Sequence, residues 1–148
     1  GISVARLLFA PHLPKDEHLA RLRFADLAID TRIVNGAATT SDALWAGVPV
    51  LTLQGSHFAS RMSSSILTAV GLQELITYSL ETYETLAVHL AQNPTELRTL
   101  KTILAENRLT RPLFDTPRFV ANLERAYKKM WELFLSEEKP RQISVVEN

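Results

Sequence analysis

Leu27-Ala28-Ile29-Asp30, a loop from Arg32 to Ala38, and then Thr39-Thr40-Ser41-Asp42-Ala43-Leu44-Trp45-Ala46-Gly47-Val48-Pro49-Val50-Leu51-Thr52-Leu53 decide the fold. The first four residues read as a short strand. Thr39 to Asp42 supplies cap-competent side chains before a short apolar helix, Ala43 to Ala46, that Gly47 stops and Pro49 cannot continue. Val48 to Leu53 is β-branched and apolar, with proline at its tolerated first positions, and reads as a second strand. Strand, loop, helix and strand in that order form a βαβ unit, which calls for a parallel sheet covered by helices.

The same alternation continues on both sides. Upstream, Leu7 to Ala10 is a continuous apolar run closed by Pro11, the pattern of a buried strand, and residues 15–25 carry a helix with acids in its first turn. Downstream, a helix from His57 to Val70 with Phe58, Met62, Ile66 and Ala69 facing the sheet is expected, with Gly71 as its C-cap. Glu74 to Thr77 is a further strand. Ser79 to Ala91 forms a helix with Leu80, Tyr83, Leu86, Ala87 and Leu90 inward, and Asn93-Pro94 opens another to about Asn107. A last helix, Thr116 to about Leu135, carries Phe119, Leu123, Ala126, Tyr127, Met130, Trp131 and Phe134 along one broad face. These aromatics, with Trp45 and Phe58, are core candidates. The fold class is therefore α/β, a Rossmann-like, mostly parallel sheet flanked by helices, with a long amphipathic C-terminal helix. Residues 1–135 form the domain and 136–148 a flexible tail.

Composition narrows the function. The 148 residues suit one domain, and sixteen basic residues balance sixteen acidic ones, so no net field draws nucleic acid or anionic lipid. Absence of cysteine removes thiolate nucleophiles, disulfides and cysteine-held metals. His12, His57 and His89 lack metal-ligand spacing, so no metal is expected. The longest apolar run near the start is four residues, too short for a signal or spanning segment, which favours the cytoplasm. The abrupt opening on a strand suggests a piece of a longer chain.

No GxGxxG, P-loop or nucleophile elbow occurs, so the site is read from weaker signs. Asn35 to Asp42 is a small-residue loop opening a helix. Small side chains let a phosphate reach the backbone, and free N–H groups with Thr39 and Thr40 hydroxyls can receive it. The alternative is an ordinary helix cap, with Asp42 either a dipole-favoured surface acid or a partner for sugar hydroxyls. Lys15, His18 and Arg21, at i, i+3 and i+6, share one side of the first helix. They can pair with an anion and stack on a base, or form a solvated face. Arg61 near a helix start can meet an anion or cross to an acid.

Lys15-Asp16-Glu17-His18, Ala25-Asp26-Leu27, Asp30-Thr31, Asn35-Gly36, Asp42-Ala43-Leu44-Trp45-Ala46-Gly47-Val48-Pro49 and Ala59-Ser60-Arg61 together resemble the O-linked N-acetylglucosamine transferase family. The likeness continues through Gly71, Glu74-Leu75-Ile76, Pro112 to Thr116 and Trp131-Glu132, from Gly1 to about Pro140. The family comprises GT-B glycosyltransferases, usually preceded by tetratricopeptide repeats. They transfer GlcNAc from UDP-GlcNAc to Ser or Thr hydroxyls of proteins with inversion and without a catalytic metal.

The resemblance implies that Lys15 contacts the ribose side of the nucleotide, His18 stacks on uracil and Arg21 helps hold the base. A His-Thr-Thr run that cradles the diphosphate in the family falls on Ala37, Ala38 and Thr39, and its ribose-binding Asp on Asp42. Thr39 and Asp42 match; Ala37 and Ala38 depart, which weakens donor binding unless Thr40 supplies the lost hydroxyl. In the family's strand order 3-2-1-4-5-6, the strands present would be 3, 4, 5 and 6, leaving Leu7 to Ala10 without its neighbour. The catalytic base belongs to an N-terminal lobe outside this sequence, so the chain alone is expected to be inactive. The last helix, which in the family packs toward that lobe, is then available for a homodimer. A noncatalytic assembly module with an eroded site is the competing reading, and a generic dinucleotide-binding domain is disfavoured.

Overall fold

The computed structural model describes residues 2–146. Lys15–Leu22 forms helix α1, with Asp16 and Glu17 at its positive end. It ends before Ala25 and leads into the two-residue strand β1, Ala28–Ile29. Helix α2 spans Ala38–Trp45 and strand β2 Val50–Leu53. Helix α3 is Met62–Val70 and strand β3 Ile76–Thr77. Helices α4, Leu80–Gln92, α5, Pro94–Thr110, and α6, Thr116–Leu135, complete the chain.

The strands form one parallel sheet in the order β1-β2-β3, with Ala28 opposite Val50 and Thr52 opposite Ile76. Strand β2 is central and fully apolar at Val50 and Leu51, as a strand covered on both faces must be. Leu44 of α2, Leu67 and Val70 of α3, Leu90 of α4 and Leu104 of α5 close over the sheet at essentially zero exposure. Gly71 ends α3 at φ +76°, where a side chain would be strained, and Asn107 of α5 donates from Nδ2 to the Val70 carbonyl at 2.8 Å.

Several expectations are corrected. Leu7 to Ala10 is not a strand: Leu8 is 93% and Phe9 91% exposed. A strand needs a neighbour's hydrogen-bond ladder, and in this chain the first helix and β1 provide none for it. Helix α2 begins at Ala38, so Thr39 to Asp42 lie in its first turns and Ala37 stands at the cap with no side-chain bond. The expected His57 helix is divided into a 3₁₀ turn, Phe58–Ser60, and α3. The fully buried face of α3 is Ser63, Ser64, Leu67 and Val70; Ile66 is partly buried against the core as expected, while Phe58 is exposed. The two serines are small enough to bring α3 close to its neighbours, and their hydroxyls bond backbone carbonyls of Gly36 and Arg61. The strand expected at Glu74 shrinks to β3 because Gln73–Leu75 forms a 3₁₀ turn. Leu80, at the start of α4, is half exposed.

Trp45, Phe58 and the α6 aromatics are not core. Trp45 lies at the rim, edge-on to Phe114 at 5.1 Å, and Trp131 is 60% exposed. Helix α6 meets the body through the Pro112–Phe114 turn, with Ala121, Asn122, Arg125 and Ala126 half-buried, so its apolar stripe faces outward. Residues 136–146 carry no helix or strand; Lys129 donates from Nζ to the Ser144 carbonyl at 2.8 Å.

Candidate nucleotide-sugar site

Parallel strands deliver their carboxyl ends to one edge of the sheet, where the following loops open helices. At the end of β1, His18 and Leu22 of α1, Asp30 and Thr31, Gly36, and Thr39, Thr40 and Ala43 of α2 line a cleft of about 270 Å³. The two sequence-predicted clusters thus meet across β1.

On the α1 side, the Arg21 guanidinium donates to His18 Nδ1 at 3.1 Å and to the Pro11 carbonyl at 2.9 Å. An arginine can only donate, so Nδ1 is the acceptor and the neutral imidazole carries its proton on Nε2. Arg21 therefore fixes the ring's tautomer and tilt from behind. Lys15 forms an ion pair with Asp42 of α2, joining the two helices. Asp42 is the more buried partner, with 20% of its side chain exposed.

On the α2 side, the amides of Ala38, Thr39 and Thr40 have no acceptor among the described residues, as the first turn of a helix requires. Ser41 is the first to bond, to the Ala37 carbonyl at 3.0 Å. Three N–H dipoles therefore point out of the helix start. The hydroxyls of Thr39 and Thr40 differ. Ser63 donates from Oγ to the Gly36 carbonyl at 3.0 Å, so the 2.8 Å contact between Thr40 and Ser63 has Thr40 as donor. Thr40, 3% exposed, has spent its only proton in the core, whereas Thr39 is exposed and its hydroxyl is free.

Gly36 is the pivot of this loop. A Cβ there would lie 2.6 Å from both the Thr39 and Thr40 Oγ1 atoms, so only glycine fits under the helix start. Asp30, which the sequence offers only within the Asp30-Thr31 family motif and with no role attached, is central here. Its carboxylate accepts from the Gly36 amide at 2.8 Å, the Thr31 amide at 2.9 Å and the Thr52 hydroxyl at 2.6 Å. Its position at a strand end, six residues ahead of Gly36 and beside Thr31, is the signal that could have found it. Tyr83 of α4 donates to the Asp30 carbonyl at 2.6 Å, and burial, then the Asp30 charge, push its phenol above its ordinary range.

The other candidates lie apart. Arg61 lines a separate groove of about 800 Å³ with Gln54, Phe58, Met62 and Ser65. His57 accepts the Ser60 amide at its Nδ1, and His89 pairs with Glu96 at 2.7 Å. Among the described residues no three His, Asp or Glu side chains are grouped to hold a metal ion. A cavity of about 810 Å³ between α6 and residues 137–143 shares no residue with the cleft. No helix among the described residues is long and apolar enough to cross a membrane.

Comparison with known proteins bears on this geometry. The chain is 44% identical over its whole length to the probable UDP-N-acetylglucosamine–peptide N-acetylglucosaminyltransferase SEC of Arabidopsis thaliana, of which it covers 15%. It is 31% identical, over 92% of its length, to the UDP-N-acetylglucosamine–peptide N-acetylglucosaminyltransferase of Caenorhabditis elegans, covering 12% of that protein. A mutant of the Thermobaculum terrenum O-GlcNAc transferase superposes with a TM-score of 0.76 at 38% identity, over 80% of this chain and 23% of that one. The sheet and its helices are thus those of a GT-B transferase of this kind. The chain spans only 12–15% of these curated relatives. The model of glycosyl transferase family 41 matches residues 1–123, from ahead of α1 into α6, and the chain therefore belongs to that family.

Proposed function

We propose that these residues, as part of a longer chain, bind the UDP-sugar donor of an inverting protein O-GlcNAc transferase. The observation that carries the reading is the cleft at the end of β1, which is lined both by an oriented imidazole and by the start of a helix whose first three amides are unpaired. His18, held by Arg21, offers a flat face to uracil and an Nε2–H to a carbonyl. Lys15 and Asp42 serve the ribose, the carboxylate accepting its hydroxyls. The start of α2 takes the diphosphate, Thr39 through its free hydroxyl and amide and Thr40 through its amide alone, since the Thr40 hydroxyl is committed to Ser63. The helix N–H dipoles are already oriented, so they stabilise the negative charge that grows on UDP as it departs, without reorganisation and without a metal. GlcNAc goes to a Ser or Thr hydroxyl of a protein acceptor, and the base that deprotonates that hydroxyl comes from an N-terminal lobe. That lobe, preceded by tetratricopeptide repeats, completes the enzyme, which works in the cytoplasm and uses neither nucleic acid nor membrane. The 148 residues alone do not turn over.

Residues 1–135 act as the donor-binding part and 136–148 as its tail. In the isolated chain, the outward stripe of α6 pairs with a second copy. Val120, Leu123, Tyr127, Met130 and Phe134 recur at spacings of three and four, the seam that lets two helices interlock.

A UDP titration followed by NMR tests the donor reading. Saturable shifts at His18 and at the amides of Thr39 to Asp42 are expected, and a folded sample in which none moves refutes it. A second reading, an assembly module with an eroded site, is favoured by Ala37 and Ala38 alone. Ala37→His with Ala38→Thr separates the two: wild-type chain that ignores UDP while the double variant binds it establishes erosion.

A further inference from the structure

The 31–36 loop is strained and clamped. Ile33 has φ +75°, a left-handed conformation that a β-branched side chain adopts only when its surroundings over-determine it. The clamps are visible. Thr31 donates from Oγ1 to the Val34 carbonyl at 2.6 Å. Asn35, 6% exposed, donates from Nδ2 to the Thr31 carbonyl at 3.1 Å, and its amide bonds the Ala59 carbonyl at 2.9 Å.

Besides Asn35, which reaches Ala59, Asp30 ties the loop to the rest of the fold. The Asp30 amide bonds Leu51 of β2 at 3.0 Å, its carbonyl accepts from Tyr83 of α4, and its carboxylate takes Thr52 Oγ1 as well as the Gly36 amide. Gly36 is thereby held at both ends of its backbone, its N–H by Asp30 and its carbonyl by Ser63 of α3. The orientation of that residue sets where α2 begins and where its three free amides point.

We infer that Asp30 is the positioning residue for the donor diphosphate, aiming the α2 amides through Gly36. This rests on the donor reading above. A carboxylate beside an anion site is at first sight unfavourable, but three donors already absorb its charge, and a neutral side chain with no acceptor would release the strained loop. The consequence is selective. Loss of Asp30 disturbs the phosphate end of the site and leaves the base end, held by Arg21 and His18 on α1, in place.

The experiment compares UDP with uridine on the full 148-residue chain. Asp30→Ala lowers UDP affinity about tenfold, the effect of one charge-assisted hydrogen bond, with uridine affinity unchanged. Asp30→Asn keeps an acceptor for Gly36 and stays within about threefold of wild type. Should Asp30→Ala not fold, Thr52→Val, which frees the carboxylate from β2, carries the test with a smaller loss confined to UDP. Equal loss for both ligands, or loss for neither, overturns the inference. Wild-type chain that binds uridine but not UDP refutes the donor reading instead. Amide exchange at Gly36 then decides the clamp: protection that survives Asp30→Ala overturns it, and protection lost on that substitution supports it.

Discussion

Gly36→Ala is the substitution whose cost the geometry sets most tightly. The added Cβ lies 2.6 Å from two threonine hydroxyls and 3.4 Å from Asp30 Oδ1. Thr39 is exposed and can rotate away at little cost. Thr40 cannot, because it is buried and its proton is committed to Ser63. Either the loop moves, which costs about 1–2 kcal/mol as overpacking, or Thr40 rotates and leaves a buried hydroxyl unsatisfied, at about 1–3 kcal/mol. The cheaper response sets the cost, and a net loss of about 2 kcal/mol is expected, equivalent to a fall in Tm of about 6 °C in a chain of this size. Urea and thermal denaturation of the 148-residue chain measure it. Adding Thr40→Ala removes one of the two obstructions, so the double variant should recover at least about 1 kcal/mol relative to additivity. A Gly36→Ala protein within about 0.5 kcal/mol of wild type, the range of an ordinary surface substitution, refutes the packing argument.

Tyr83→Phe removes the bond to the Asp30 carbonyl and should cost about 1 kcal/mol at neutral pH. Because the folded phenol titrates above its unfolded value, the stability it contributes is complete below pH 10 and is lost as pH rises through the folded value. The wild-type chain should therefore lose stability above about pH 10 more steeply than Tyr83→Phe, and superimposable alkaline profiles refute this. Light scattering should give the isolated chain twice its monomer mass, with Leu123→Asp and Met130→Asp each returning it to monomer. A wild-type chain monomeric at all concentrations refutes pairing through α6.

Much of this fold is legible in local sequence. Gly71 stops α3, Ser79 caps α4 with a reciprocal Thr82 box, and Pro94 and Pro117 open α5 and α6, all positions where a single residue's backbone chemistry suffices. The α3 face was misjudged because apolar period alone aligned Phe58 with Met62. Two of the inward positions, beside Leu67 and Val70, are serines, admitted because hydroxyls can bond backbone carbonyls while fitting a narrow gap. Likewise, apolar residues at Leu7 to Ala10 and along α6 carry the pattern of burial yet stay largely exposed.

For the site, residue types and spacing marked His18, Thr39, Thr40 and Asp42 as groups able either to meet an anion and a base or simply to cap and solvate helices, and the family resemblance is what points them at a nucleotide sugar. The fold decided how they are deployed. Only packing of α3 against α2 takes the Thr40 proton out of the cleft, only the reach of Arg21 fixes the His18 tautomer, and only the convergence of β1, β2 and α4 makes Asp30 a hub. Sequence by itself thus determined the helices and the chemically capable groups, through interactions spanning a few residues. Which proton each group has left to give depends on partners up to 53 residues away, and only the tertiary structure brings those together.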